Sequence, residues 1–421
     1  MRETLVKAEE FKDSPLGRIP KDWDVKPLSE LADVDRGKFT HRPRNDPRFY
    51  GGSYPFIQTG DIANSSGGIL STYSQTLNER GITVSREFPV GTIAITIAAN
   101  IADTAILGIP MFFPDSVVGA VVKKPNSIRY VELCIRRAKQ RLDARAPQSA
   151  QKNINLEDLR PLLIPVPSPE EQHRIAEVID TIDSTIAHTS SLIAKLKQMK
   201  AGLLHDLLTR GLDENGELRD AIGHPEQFKD SPLGRIPQEW KFCKFGDQVT
   251  LQRGFDITSK EMKPGNVPVI ASSGLVGYHD TPMANPPGVI TGRKGSLGEA
   301  FYVEEPYYPT DTTLWVKDFH GNYPKFIRRF IQWMRLERLD SATACPTLNR
   351  NFVHPIPVAF PPIDEQIQIE KVCDTYDNRI CTEEAYRDKL KLQKQGLMHD
   401  LLTGKVRVKD ADKFTPASDT V

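Results

Sequence analysis

The sequence predicts an α/β (α+β) chain in which two pseudo-symmetric domains are separated by an antiparallel pair of long coiled-coil helices. Three observations predict it. Residues 11–20 recur letter for letter as residues 228–237, and a tryptophan follows each copy at the same spacing, Trp23 and Trp240, an offset of 217. Further on, Pro169-Glu170-Glu171-Gln172 and Gly202-Leu203-Leu204-His205-Asp206-Leu207-Leu208-Thr209 return with few changes at 363–366 and 396–403, both at an offset of 194. The segments between these last two marks carry an apolar heptad. Each copy is thus a block whose length drifts, by 23 residues, followed by a block whose length is held. A period of about 200 residues is far longer than a solenoid repeat, so a whole unit has been duplicated.

The first variable block covers residues 1–163. Short apolar runs place strands at Tyr54-Pro55-Phe56-Ile57, leading into a turn at Gln58-Thr59-Gly60-Asp61, and at residues 90–96. Residues 91–113 are long and apolar enough to suggest a membrane span. However, Asn100, Asp103 and Pro110 interrupt them, and an acid at mid-bilayer costs roughly 2.5–3.5 kcal/mol. Buried strands are the better reading.

The first long helix covers residues 164–211, after a Pro-rich entry. Ser168 caps it, with Pro169 at the first helical position and Glu171 three residues past the cap. Ile175, Ile179, Ile182, Ile186, Thr189, Ile193, Leu196, Lys200, Leu203 and Leu207 alternate spacings of three and four, the seam of a coiled coil. Gly211 closes it as a left-handed cap. At ~1.5 Å per residue, about 40 residues make a rod of roughly 60 Å.

A linker, residues 212–227, leads to the second variable block, residues 228–355. Val267-Pro268-Val269-Ile270 runs into Ala271-Ser272-Ser273-Gly274 as the counterpart of the first strand and turn, and residues 287–293 match residues 90–96. The second long helix, residues 356–404, has its seam at Ile369, Cys373, Tyr376, Ile380, Glu383, Arg387, Leu390, Lys394, Leu397 and Leu401, with Gly404 ending it. Glu383 and Arg387 fall where the seam should be dry, and such a pair aligns helices at some cost in stability. Residues 405–421 form a C-terminal tail. A helix pair held at fixed length reads as a ruler between the variable blocks.

Lys+Arg and Asp+Glu are both 55, so the net charge is zero and a surface for a polyanion has to be local. The blocks are mildly basic: residues 24–160 hold 18 Lys/Arg against 14 Asp/Glu, and residues 241–353 hold 14 against 11. In the first block Arg36, Lys38, Arg42, Arg44 and Arg48 fall within thirteen residues, with His41 and Tyr50 nearby. In the second, Arg293-Lys294-Gly295-Ser296 forms a Gly-rich turn whose backbone is expected to approach phosphate. Arginine forks can grip guanine, while lysines and amides position phosphates. With the turn residues Gln58, Thr59, Ser272 and Ser273, these are the candidate DNA-binding residues. A basic run at Arg136, Arg137, Lys139, Arg141 and Arg145 faces either solvent or a partner.

Catalytic signatures are missing. Asn285-Pro286-Pro287-Gly288 has the start of an adenine-methyltransferase loop, but glycine stands where an aromatic ring would stack on a flipped base. It reads as a turn. There is no P-loop. Pro114-Asp115 could open a nuclease motif, but Val121-Val122-Lys123 lacks the acid. His205-Asp206 and His399-Asp400 lie at helix ends, where His complements the macrodipole. Cys134, Cys243, Cys345, Cys373 and Cys381 show neither metal spacing nor a disulfide framework. No metal site is expected, the charged N-terminus does not read as a secretory signal, and a cytoplasmic location fits.

The doubled marks resemble the specificity subunit of type I restriction–modification enzymes over nearly the whole chain. They are Leu16-Gly17-Arg18-Ile19-Pro20 with Trp23, Ile164-Pro165-Val166-Pro167 leading into Glu171-Gln172, and Gly202-Leu203-Leu204. Their second copies are residues 233–237 with Trp240, Ile356-Pro357-Val358 leading into Glu365-Gln366, and Gly396-Leu397-Met398. The resemblance implies that each block is a target-recognition domain reading half of a bipartite double-stranded DNA target, with the helices as spacer. It implies two methyltransferase subunits that methylate adenine, and translocating endonuclease subunits, as partners. S-adenosylmethionine, ATP and Mg would be bound by those subunits, with no cofactor and no catalytic residue on this chain. Blocks of unequal length imply unlike half-sites. Two other readings stand beside this one: a coiled-coil interaction scaffold whose blocks bind something other than DNA, and a free-standing methyltransferase.

Overall fold

The computed structural model describes residues 5–7, 10–65, 67–98, 100–145, 153–339 and 347–408. Cys345 and residues 409–421 of the tail lie outside them, as does the side chain of Arg145. Two compact units emerge, Met1–His188 with Tyr386–Val421, and Thr189–Ala385. The division falls inside the long helices, Pro169–Leu207 and Ile363–Thr403, rather than at the composition changes near residues 163, 227 and 355. The reason is packing. The start of one helix and the end of the other enter each core: Ile175 and Ile179 with Leu401 and Leu402 in the first unit, Ile369 and Cys373 with Leu207 and Leu208 in the second. Burial pushes the Cys373 thiol up to about 11, so it packs as a small apolar side chain.

In the first unit a five-stranded sheet runs in the order β1 (Ala32–Arg36), β2 (Val117–Val122), Ile93–Thr96, Thr104–Leu107 and Ile69–Leu70. A four-stranded sheet contains Tyr50–Phe56 and Met111–Phe112. Helix α1 (Ile128–Arg137) starts at Ser127, whose hydroxyl accepts from the Tyr130 amide, and it buries Tyr130, Leu133 and Ile135. The apolar stretch at 91–113 is therefore three buried strands. No helix among the described residues is long and apolar enough to cross a membrane.

The second unit repeats the plan. Its four-stranded sheet runs β3 (Thr250–Arg253), β4 (Thr313–Asp318), Gly288–Gly292, Ala300–Val303, and helix α2 (Pro324–Trp333) takes the place of α1. Ile93–Thr96 and Gly288–Gly292 occupy the same place, each flanked by two antiparallel partners in its own sheet. The Asn-Pro-Pro-Gly segment leads into that second strand. A Cβ on Gly288 would lie 2.4 Å from the Tyr307 ring, so close packing accounts for the glycine.

The helix register agrees with the heptad. Every seam position in both helices is buried or half-buried, while Leu192, Met199 and Leu392, off the seam, are exposed. Within each unit the helices run antiparallel. In the first, Glu171 meets Arg407 and Asp183 meets Lys394; in the second, Lys197 meets Glu384 and Lys200 meets Asp377. Glu383 pairs with Arg379 of its own helix and Arg387 with its neighbour Asp388. Cross-helix ion pairs are made by Lys197 and by the seam lysines, Lys200 and Lys394. At the entries, Leu163–Val166 and Pro357–Phe360 are strands paired with Asp24–Pro27 and Lys241–Lys244. The helices therefore begin later than residues 164 and 356, because residues 164–166 and 357–360 complete a ladder before the proline turn.

Candidate nucleic-acid interface

In the first unit the basic loop is built on an aromatic base. Phe39 is buried and its ring meets Phe49, Tyr50 and Phe56. The loop's arginines are ordered by acceptors. Arg42 reaches the Asp115 carboxylate at 3.1 Å and the Phe39 carbonyl at 2.6 Å, Arg44 reaches the other Asp115 oxygen, and Arg36 Nε donates to the Asp115 carbonyl at 2.5 Å. Arg48 instead grips Asp46 at 2.6 Å, and that guanidinium holds the Asp46 carboxyl well below the usual carboxylate range. Lys38 is exposed.

Arg44 and Gln58 line one open depression with Phe39, Tyr50, Phe56 and Gln75. Gln58 Nε2 donates to Gln75 at 3.0 Å. The segment at Gln58-Thr59-Gly60-Asp61 is not a free turn. Thr59 opens the helix Thr59–Ser65, and Asp61 accepts from the Gln58 amide at 2.7 Å.

The second unit gathers its candidates around Asp311-Thr312. Ser272 N donates to Thr312 Oγ1 at 3.2 Å, and Arg293 Nη1 donates to the Asp311 carbonyl at 3.0 Å. Lys294 stands 3.9 Å from the Asp311 carboxylate. Ser273 and Ser296 are exposed. The amides of Arg293 and Lys294 both donate to the Thr312 carbonyl, at 2.8 and 3.0 Å. Those backbone groups are thus engaged internally, and it is side chains that this turn presents.

Sequence reasoning missed Asp115, Asp311 and Arg253. The last of these reaches Asp311 at 3.5 Å and Asp256 at 2.7 Å. One signal was available: Arg36-Gly37 recurs as Arg253-Gly254 at the same offset of 217 as the tryptophans.

Each unit's own helix is clamped to the long helices by charge. Arg129 of α1 reaches Asp180 at 2.6 Å and Asp183 at 2.9 Å. Arg329 of α2 reaches Glu370 at 2.7 Å, Asp374 at 3.2 Å and Asp377 at 3.0 Å. The basic run at the end of α1 is similarly occupied, with Arg136 against Glu132, Arg137 on the Leu402 carbonyl and Lys139 on Asp103. Among the described residues no group of three His, Cys, Asp or Glu side chains is placed to hold a metal ion.

The sequence family described as the type I restriction modification DNA specificity domain matches residues 20–198 and 237–392. The type I restriction enzyme MjaVIII specificity subunit of Methanocaldococcus jannaschii is 22% identical over 448 residues, covering 96% of this chain and 98% of that one. The crystal structure of the type I restriction–modification S subunit from M. genitalium superposes with a TM-score of 0.55 at 18% identity, over 90% of this chain and 96% of that one. A chain from a study of complex assembly and conformational transition in the type I R-M system gives 0.61 at 13% identity, over 92% and 99%.

Proposed function

The chain belongs to the type I restriction–modification DNA specificity family, and from that premise we propose how it works as the specificity subunit of such an enzyme. Each recognition domain reads one half of a bipartite double-stranded DNA target. The helix pair, with its length-locked register, sets the unspecified gap. The observation that carries this reading is one scaffold written twice with unlike loops: Arg42 and Arg44 follow the strand that ends at Arg36 in one domain, whereas Arg293 and Lys294 follow the counterpart of Ile93–Thr96 in the other. Two methyltransferase subunits and the endonuclease subunits dock on this chain and bring S-adenosylmethionine, ATP and Mg with them. The specificity subunit is itself non-catalytic, and its work is in the cytoplasm.

Salt provides a direct test. Binding of the assembled complex to target DNA should weaken steeply as salt rises, with a log–log slope of about −0.9 per phosphate neutralised. A scaffold that does not hold DNA would show no such slope. A complementary test replaces residues 241–353 with the equivalent block of another family member. One half-site should change while the other half-site and the gap stay as they were.

A further inference from the structure

The two recognition domains share an arrangement that their loop sequences hide. In each, a strand ends in Arg-Gly, and an aspartate stands two residues ahead of the partner strand. Arg36 at the end of β1 is in register with Val118 of β2, and Arg253 at the end of β3 with Leu314 of β4. The glycine amides donate to equivalent carbonyls, Gly37 to Val117 at 2.8 Å and Gly254 to Thr313 at 3.1 Å. A Cβ on Gly37 would lie 2.3 Å from the Pro114 carbonyl oxygen, and one on Gly254 would lie 2.1 Å from that of Thr310. The aspartate-bearing loop is therefore pressed onto the glycine in both domains.

In both domains the aspartate offers its carboxylate and its carbonyl to cations, although different arginines take the carbonyl. The Asp115 carboxylate takes Arg42 and Arg44 while its carbonyl takes Arg36. The Asp311 carboxylate faces Arg253 and Lys294 while its carbonyl takes Arg293. Asp115 gathers its cations from the single stretch 36–44 and Asp311 from two separate segments, and in both the cations outnumber the carboxylate. Exposed ion pairs contribute about 0–1 kcal/mol, so this excess of positive charge is poorly explained as a stability device. It leaves guanidinium forks aimed by one fixed acceptor, with charge to spare for an anionic ligand.

We propose that Asp115 and Asp311 are equivalent positioning residues, one per domain, that hold these cations in the orientation needed for sequence readout. This rests on the DNA reading above. An acceptor-only carboxylate repels phosphate, so it trades non-specific affinity for aligned arginine donors. The loops around it can vary, giving each domain its own readers on a common post.

The test uses the complex with its methyltransferase subunits, carrying this chain as wild type, Asp115→Asn or Asp311→Asn. Each is put through selection from a randomised duplex library and a titration against non-specific duplex, with melting temperature as a folding control. The Asn change removes the charge, and the carbonyl contacts of Arg36 and Arg293 need only the backbone. Asp115→Asn should leave melting unchanged, keep or raise non-specific affinity, and lower discrimination about tenfold at one half-site only. Asp311→Asn should do the same at the other. Loss of specific and non-specific binding together with a lower melting temperature would reduce the aspartates to structural residues and overturn the proposal. So would unchanged selection by both variants while wild type enriches a bipartite sequence. If the wild type enriches no sequence, the DNA reading fails and takes this proposal with it.

Discussion

The indole Nε1 of Trp23 donates to the Glu171 carboxylate at 3.1 Å, joining the opening motif of the chain to the first turn of a long helix 148 positions later. Both residues are buried. Trp240 makes the same bond to Glu365 at 3.0 Å. Each carboxylate also takes an arginine from the segment that follows the opposite helix. Arg407 reaches Glu171 at 2.6 Å and Arg219 reaches Glu365 at 2.7 Å. The duplicated motifs are thus two halves of one joint, closed by the end of the other helix.

Glu171→Ala should destabilise the first unit by about 1–3 kcal/mol, because it leaves the buried Trp23 N–H without its acceptor and takes one of two carboxylates from the half-buried Arg407, which keeps Asp22. Denaturant unfolding read by hydrogen exchange of the first unit checks this. A loss under about 1 kcal/mol, the range of an exposed ion pair, would mean that the joint does not hold the unit.

The seam predicts a contrast between apolar residues of the two helices. Ile179 is fully buried and Leu392 is 70% exposed. Ile179→Ala should cost about 2–5 kcal/mol, and Leu392→Ala should stay within about 0.5 kcal/mol. Equal effects in thermal melts would contradict the heptad register.

Acid should loosen the second unit through His354. Its Nε2 accepts from the Leu251 amide at 3.0 Å, within the strand that carries Arg253. Burial, and then nearby Arg350, pull its pKa below the ordinary 6.5. The unfolded chain therefore takes up the proton first, so the stabilisation present above 6.5 is lost as pH falls through the folded-state value. His354→Phe should flatten the decline in melting temperature between about pH 7 and 5. An identical decline in wild type and variant would assign it elsewhere.

Gly37→Ala should disturb the first recognition domain alone. Its Cβ would strike the Pro114 backbone, which cannot rotate away, and the loop carrying Asp115 would have to shift. Half-site discrimination should fall at one end of the target, with binding at the other end intact. Retained discrimination at both ends in a library selection would count against the close approach.

Much of this architecture is legible in the sequence, because repetition and heptad spacing are local signals. The seam positions hold along both helices, and Ser168 caps the first, accepting from the Glu171 amide at 3.3 Å. The partners across the fold are not legible. Glu171 and Trp23 stand out as motif residues, yet nothing in the sequence says that they touch. Asp115 looks like a failed nuclease motif until β2 brings it beside the arginines. Thr59 reads as a turn because Gly60 interrupts a helix too short to show a period. Ile164 reads as a helix entry because its ladder partner, Lys26, is remote in sequence.

Single-molecule sequencing of N6-methyladenine across the native genome, with this gene intact and deleted, tests the central claim most directly. The expected result is the disappearance, on deletion, of one methylated motif made of two unlike half-sites around a fixed gap. Persistence of every such motif, with the partner methyltransferase present and active, would contradict the assignment of sequence specificity to this chain.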